Sequence, residues 1–178
     1  ICLAAAQTAA LGAARSGQVD PARGDIAKLA ELRDKLTEAK DAYWSEQVDI
    51  QRQVASAWLL NAEDKQADAF EAMAAAADAE DTTEKSIVTP GPLAPARELY
   101  GLMLLERGMA KEALAAFHAT LAKEPNRLGA TIGAARAAEK LGDASAARDY
   151  YAKAVALADG SAASRAELVH ARAVLARN

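Results

Sequence analysis

The feature that most constrains the fold of this chain is a spacing of 34 residues that recurs in its C-terminal half. It separates Gly108 from Gly142, Ala113 from Ala147, and Phe117 from Tyr151. A small residue and an aromatic residue four positions later lie on one face of a helix. The glycine before each pair favours a tight turn, because glycine adopts positive φ without strain. The spacing therefore predicts a repeated unit of helix, turn and helix.

The composition favours helices over strands. The chain is 52% hydrophobic but only 4% aromatic, and much of the apolar content is alanine, the residue with the highest helix propensity. Glycine and proline, which interrupt helices, number only 10 and 5. We therefore predict an all-α protein. A net charge of −4 gives the chain no attraction to nucleic acid or to an anionic membrane surface, so neither is expected as a partner.

Weaker copies of the unit precede the two strong ones. Ala69 and Met73 lie four residues apart after a turn at Asp64, and Ala22 and Ile26 lie four apart after Gly17. The stretch that ends in Pro-Gly-Pro lengthens the distance between the second and third copies and indicates a loop. We predict one domain, 1–178, with helical hairpins at about 1–41, 42–80, 92–125 and 126–159, a loop at 81–92 and a capping helix at 161–177. Capping residues and a first-turn proline predict helix starts at Pro21, Asn126, Asp143 and Ser161.

The third and fourth copies resemble tetratricopeptide repeats, which are 34-residue helix–turn–helix units. The third copy carries Tyr100, Gly101 and Leu104 on its first helix, Ala113 and Phe117 on its second, and Pro125 after it. The fourth carries Ala134, Ala135 and Ala138, then Ala147 and Tyr151, with Asp159 in the place of the proline. Arg97 stands where the family has tryptophan. The whole chain also resembles the C-terminal helical region of larger bacterial repeat proteins.

This resemblance implies an α-solenoid, in which hairpins stack into a right-handed superhelix and the first helix of each hairpin lines a concave face. It also implies a non-enzymatic scaffold that binds a protein or peptide on that face and needs no cofactor. The candidate partner-binding residues point away from the second helix of each hairpin: Val54, Trp58, Asn61, Glu98, Leu102, Leu105, Glu106, Ile132, Arg136, Glu139 and Lys140. The alternative is that several of these side chains pack against the neighbouring repeat.

The sequence contains no motif that indicates catalysis or metal binding. It has no glycine-rich phosphate loop, no His-Glu-x-x-His and no Gly-x-Ser-x-Gly. His118 and His170 lie among apolar residues and are interpreted as surface or boundary histidines, and Cys2 has no basic neighbour that would activate it. Tyr43 and Trp44 are interpreted as core aromatics, with a peptide-binding hot spot as the alternative. We therefore predict that the chain is not an enzyme.

The opening residues ICLAAAQTAALGAA are apolar, but they lack the basic start of a signal peptide. No uninterrupted run reaches the roughly 18 apolar residues of a membrane span, so we expect no membrane insertion. The sequence leaves the compartment open between bacterial cytoplasm and periplasm. Because the chain begins at Ile1, we interpret it as part of a longer protein. The alternative function is architectural: a spacer or a self-association segment that forms a homodimer.

Overall fold

The part of the chain that the computed structural model describes, residues 3–83, 94–158 and 166–177, is built from α-helices and contains no strand. These ranges hold nine helices: α1 (Leu3–Arg15), α2 (Val19–Glu38), α3 (Ala42–Ala62), α4 (Gln66–Thr82), α5 (Ala96–Glu106), α6 (Ala110–Lys123), α7 (Leu128–Lys140), α8 (Ala144–Leu157) and α9 (Ala166–Ala176). The prediction of an all-α protein is thereby confirmed.

Successive helices pack against each other in chain order. α1 contacts α2, α2 contacts α3 and α3 contacts α4, while α6, α7, α8 and α9 form a second series of neighbours. The helices belong to two compact units, Ile1–Leu99 and Tyr100–Asn178, and the boundary between the units falls within α5. The single domain over 1–178 stays a prediction, as does the superhelical form.

The observed helix ends agree with the sequence at one predicted cap and differ at three other positions. Asp143 caps α8, where its carboxylate accepts a first-turn N–H at 3.0 Å. Arg127, not Asn126, occupies the N-cap position of α7 and makes no side-chain cap. α2 begins before Pro21, which is the third residue of the helix rather than the first. α4 continues to Thr82, past the predicted start of the loop.

Five helix junctions share one turn geometry. The second residue after the helix has positive φ: 70° at Gly17, 59° at Lys40, 59° at Asp64, 82° at Gly108 and 78° at Gly142. At each junction the next N–H reaches back five residues to a carbonyl, at 2.9 to 3.0 Å. This left-handed cap satisfies carbonyls that the end of a helix leaves without a partner. Asp64 therefore holds the position that glycine holds in the later copies, as the sequence predicted.

Replacing Lys40 with glycine is expected to raise the free energy of unfolding by about 1 kcal/mol, because the Cβ of lysine is strained at positive φ. Urea unfolding measures the change. Lys40→Ala is the matched control, since it removes the charge but keeps the Cβ, and it should leave stability nearly unchanged. Equal effects of the two substitutions would contradict the strain argument.

The ring of Phe117 is fully buried in the second unit. It lies against two glycines, Gly101 on α5 and Gly133 on α7. A Cβ built on Gly101 would lie 2.7 Å from the ring, and one on Gly133 would lie closer still. Ala113, one turn before Phe117 on α6, is also fully buried. The aromatic ring thus fills the space that the small residues of neighbouring helices leave open.

Ion pairs join α4 to the start of α5, although most of the chain between them lies outside the described residues. Arg97 donates to Asp81 at 2.7 and 2.9 Å, and also to Asp78. Burial alone would lower the pKa of Arg97, but the two carboxylates outweigh burial and raise this pKa. Residues 81–83 of the predicted loop are described with α4, whereas its positions 84–92 and the predicted cap Ser161 lie outside the described residues.

The aromatic pair at the start of α3 is only partly buried. The rings of Tyr43 and Trp44 meet edge to face, with 5.3 Å between their centroids. Trp44 remains 36% exposed. The interpretation of Trp44 as a core aromatic is therefore corrected: its place in the first turn of α3, beside the N-cap Asp41, leaves the indole at the surface.

Candidate functional site

A groove in the second unit lies among three helices. Its volume is about 500 Å³, within the ~300–1,000 Å³ that is usual for ligand-binding clefts. The residues that line it come from α7, α8 and α9: Ile132, Arg136, Glu139, Lys140, Tyr151, Ala166, Glu167 and His170. Every one of them belongs to the unit Tyr100–Asn178.

α7 contributes half of the lining because of its sequence pattern. Arg136 follows Ile132 by four residues, and Glu139 and Lys140 follow Arg136 by three and four, so all four lie towards one side of the helix. The rest of α7 is mostly alanine and glycine, and nearly all of these positions are buried. Small buried residues allow the neighbouring helices to approach closely, so α7 packs against both α6 and α8.

A hydrogen-bonded group of three side chains joins the three helices at the groove. The Tyr151 hydroxyl of α8 donates to Glu139 Oε2 of α7 at 2.7 Å. His170 Nε2 of α9 lies 3.1 Å from Oε2 and 3.2 Å from Oε1 of the same carboxylate. A carboxylate only accepts hydrogen bonds, so Nε2 carries the proton in this arrangement. The rings of Tyr151 and His170 also meet edge to face, with centroids 5.5 Å apart.

This network shifts the pKa values of two of its members in opposite directions. Burial raises the pKa of the Tyr151 phenol, and the hydrogen bond to Glu139 raises it further. For Glu139, partial burial would raise the pKa, but the hydrogen bonds from Tyr151 and His170 outweigh burial and lower it below its ordinary 4.5. The folded protein therefore favours a neutral phenol beside a charged carboxylate.

Replacing Tyr151 with phenylalanine is expected to lower the free energy of unfolding at pH 7 by about 1 kcal/mol, through loss of the hydrogen bond to Glu139. The difference from wild type should shrink as the pH rises above about 10, because tyrosine then ionises in the unfolded chain before it ionises in the folded one. Urea unfolding of both proteins between about pH 7 and 11 measures the difference. A difference that stays constant across this range would contradict the proposed role of the phenol.

Arg148 on α8 holds the C-terminal end of α9. Its guanidinium donates to the carbonyls of Arg177 at 2.7 Å, Val174 at 3.2 Å and Leu175 at 3.4 Å. The last carbonyls of a helix have no partner within it, and a cation also interacts favourably with this end of the helix dipole. The α9 side of the groove is therefore fixed at His170 by Glu139 and at the helix end by Arg148.

Apolar packing supports the same arrangement. One cluster joins Leu168 of α9 to Ile132, Ala154 and Ala158. A second cluster joins Ala171 of α9 to residues of α7 and α8, and includes Ala135, Ala138, Ala147 and Tyr151. Leu168 and Ala171 are three residues apart, so α9 turns one narrow apolar stripe towards α7 and α8.

The candidate residues of α3 do not form a comparable surface. Val54 and Trp58 are buried, and Asn61 is half-buried. The guanidinium of Arg15 lies 4.8 Å from the centre of the Trp58 ring. The packing of α3 against α2 and α4 leaves Val54 and Trp58 no surface for a partner. They therefore fit the alternative that the sequence left open, in which such side chains pack between helices.

The candidate residues of α5 also differ in how far they are buried. Glu98 and Leu105 are buried, Leu102 is half-buried and Glu106 is exposed. None of these four lines the groove among α7, α8 and α9. Ile132, at 7% exposure, forms part of the groove and also belongs to the cluster around Leu168.

Sequence reasoning missed the other half of the groove. Ala166, Glu167 and His170 were assigned to a capping helix without a role in binding, and Tyr151 was assigned to packing alone. Glu167 and His170 are three residues apart, so a shared face of α9 could have been read from the sequence. The pairing of His170 with Glu139 could not, because it depends on how α9 lies beside α7.

The groove combines a partly apolar lining with charges of both signs. Arg136 and Lys140 are exposed and form no salt bridge or hydrogen bond with another described residue. Within residues 3–83, 94–158 and 166–177, no group of three or more His, Cys, Asp or Glu side chains is placed to hold a metal ion. In the same ranges, no helix combines the length and the apolar character that crossing a bilayer requires.

The fold and the groove define an all-helical protein whose successive helices enclose a cleft lined by side chains. No protein-family model, curated protein or solved structure matches the chain.

Proposed function

We propose that the chain is a non-enzymatic scaffold and that the groove among α7, α8 and α9 receives a segment of a partner protein. One observation carries the proposal: four residues chosen from the sequence for partner binding, Ile132, Arg136, Glu139 and Lys140, line one cleft. The cleft is large enough for several side chains of a partner, and exposed charges at its edge can select among partners.

The proposed architecture is a tetratricopeptide-like α-solenoid that forms a right-handed superhelix, as in the bacterial repeat proteins that the chain resembles. Three observations support it: the 34-residue spacing, the packing of helices in chain order, and the same left-handed turn at five helix junctions. In such an array the first helix of each hairpin lines the concave face, and α7 is the first helix of its hairpin.

Site-specific photo-crosslinking tests the proposed function. A photoreactive amino acid at Lys140 is expected to crosslink the chain to a partner protein in a cell lysate. The same amino acid at Lys111, which is exposed on α6 and does not line the groove, is the matched control. Equal crosslinking at the two positions, or crosslinking only at Lys111, would contradict the proposal.

A charge reversal provides an independent test. Arg136→Glu with Lys140→Glu should reduce capture of the partner at least tenfold. The substitutions replace attraction between these cations and acidic groups of the partner by repulsion. Arg172→Glu with Lys111→Glu makes the same change of charge at exposed positions outside the groove and should leave capture unchanged. Circular dichroism checks that both double variants remain helical.

Self-association is the second candidate function, and one observation favours it. Val169 on α9 is 56% exposed and Leu141 at the end of α7 is 48% exposed. Exposed aliphatic side chains of this size are candidates for a contact between two copies. Light scattering should then report a dimer, and Val169→Lys should convert it to a monomer. A monomer at all accessible concentrations would exclude this candidate.

A further inference from the structure

The two sides of the groove carry unpaired charges of opposite sign. Arg136 and Lys140 lie one turn apart on α7 and are both exposed. Glu167 lies on the α9 side, is exposed, and forms no salt bridge or hydrogen bond with another described residue. Arg136 and Glu167 both line the groove yet do not form an ion pair across it. Each side therefore presents a charge that a bound molecule can complement.

Glu139 offsets only part of the positive charge on the α7 side of the groove. Its carboxylate already accepts hydrogen bonds from Tyr151 and His170. These bonds favour the charged carboxylate and direct it towards α8 and α9. With two cations and one carboxylate, the α7 side keeps a net positive charge, and Glu167 is the negative charge that α9 offers.

The backbone of the groove favours a helical occupant over an extended one. All eight lining residues belong to α-helices, so the cleft has no strand edge with which an extended segment could pair. An extended segment would depend on side chains or water to pair its N–H and C=O groups, whereas a helix satisfies them internally. A helix also matches the apolar part of the lining, Ala166 and the small exposed part of Ile132, through one stripe of side chains.

We infer that the partner segment is an amphipathic helix with an apolar stripe between two oppositely charged flanks. Its acidic flank faces Arg136 and Lys140 on α7, and its basic flank faces Glu167 on α9. This inference rests on the proposed function, because it specifies the chemistry of the partner that the same groove binds.

Three synthetic peptides test the inference. They share one helical apolar stripe of leucines and differ only in their flanks: one flank glutamate and one lysine, both glutamate, or both lysine. A helix can lie in a groove in either direction, and reversing it exchanges the sides on which its two flanks lie. A second mixed peptide with the two flanks exchanged is therefore not needed. Fluorescence anisotropy of labelled peptides with the full chain should give the mixed peptide a Kd about tenfold lower than that of either uniform peptide.

Charge reversals on one side of the groove should switch this preference. Glu167→Lys makes both sides basic and should favour the all-glutamate peptide. Arg136→Glu with Lys140→Glu makes both sides acidic and should favour the all-lysine peptide. The mixed peptide should bind more weakly as salt is raised, because exposed charges are screened. Ala166→Trp fills the groove and should abolish binding of all three peptides.

The outcomes separate the inference from the proposed function. If the three peptides bind equally and Ala166→Trp abolishes their binding, the groove is a binding site but the assignment of charged flanks is overturned. If no peptide binds while Lys140 still crosslinks to a partner, the helical occupant is overturned and the proposed function stands. If binding persists unchanged in Ala166→Trp, the peptides bind outside the groove and the inference is overturned.

Discussion

Replacing Phe117 with alanine is expected to lower the free energy of unfolding by about 3–5 kcal/mol. The ring is fully buried and packs against the backbones of two helices that present glycine to it. Many of the other buried residues of this unit are alanines, which cannot fill the space of a lost ring. The structure around a truncated side chain relaxes only in part, so a cavity remains. The loss of stability therefore has two parts: the lost free energy of burying the ring, and the cost of the cavity that its removal leaves.

Urea unfolding followed by circular dichroism measures this effect. Leu157→Ala is the matched control, because Leu157 is a large apolar residue near the end of α8 that remains 36% exposed. Its truncation should cost less than about 1 kcal/mol. Phe117→Leu should fall between the two. A loss below about 1 kcal/mol for Phe117→Ala would refute the role of this ring as the central packing element.

The second large effect is expected at Gly133, where alanine should lower the free energy of unfolding by about 1–3 kcal/mol. Glycine inside a helix is ordinarily less favourable than alanine by about 0.5–1 kcal/mol. At Gly133, however, a Cβ would overlap the ring of Phe117, and both groups are buried. The ring cannot move away easily, because the backbone of Gly101 also packs closely against it. Overpacking therefore reverses the usual effect of replacing glycine with alanine inside a helix: the substitution lowers the free energy of unfolding instead of raising it.

Gly24 provides the matched control for this reversal. It lies inside α2, is exposed, and has nothing within 4 Å of the position of an added Cβ. Gly24→Ala should raise the free energy of unfolding by about 0.5–1 kcal/mol. The same sign of change at Gly24 and Gly133 would refute the overpacking argument.

A double substitution connects the two predictions. Phe117→Leu removes the ring that an alanine at position 133 would overlap. The combined loss in Gly133→Ala with Phe117→Leu should therefore be smaller than the sum of the two single losses by about 1 kcal/mol or more, as for residues in direct contact. Additive losses would mean that the clash is relieved elsewhere in the core.

Part of the candidate site could be predicted from the sequence because it lies on one helix. The spacing of Ile132, Arg136, Glu139 and Lys140 places them on one face of α7, and the structure brings them to one groove. The same reasoning applied to α3 selected Val54 and Trp58, which are buried. Periodicity identifies a shared face, but it does not say whether that face meets solvent or another helix.

Local pattern also explains the turns. Lys40 and Asp64 adopt the positive φ that glycine adopts at the other junctions. The sequence predicted the turn at Asp64 from its place in the repeat, whereas lysine carries no turn signal and its role was not predicted. The structure shows the same hydrogen bonds at both junctions, since the geometry of the helix end requires them whichever residue is present.

The sequence by itself determined the class of the fold. Alanine-rich composition, sparse glycine and proline, and a fixed spacing of small and aromatic residues are local properties, and they predict successive α-helices without knowledge of distant contacts. Only the tertiary structure decided which faces remain open and which charges are already paired. The hydrogen bonds of Glu139 to Tyr151 and His170, the fixing of α9 by Arg148, and the burial of Trp58 depend on the placement of separate helices. That placement is set by the packing of many side chains at once, which no single segment of the chain encodes.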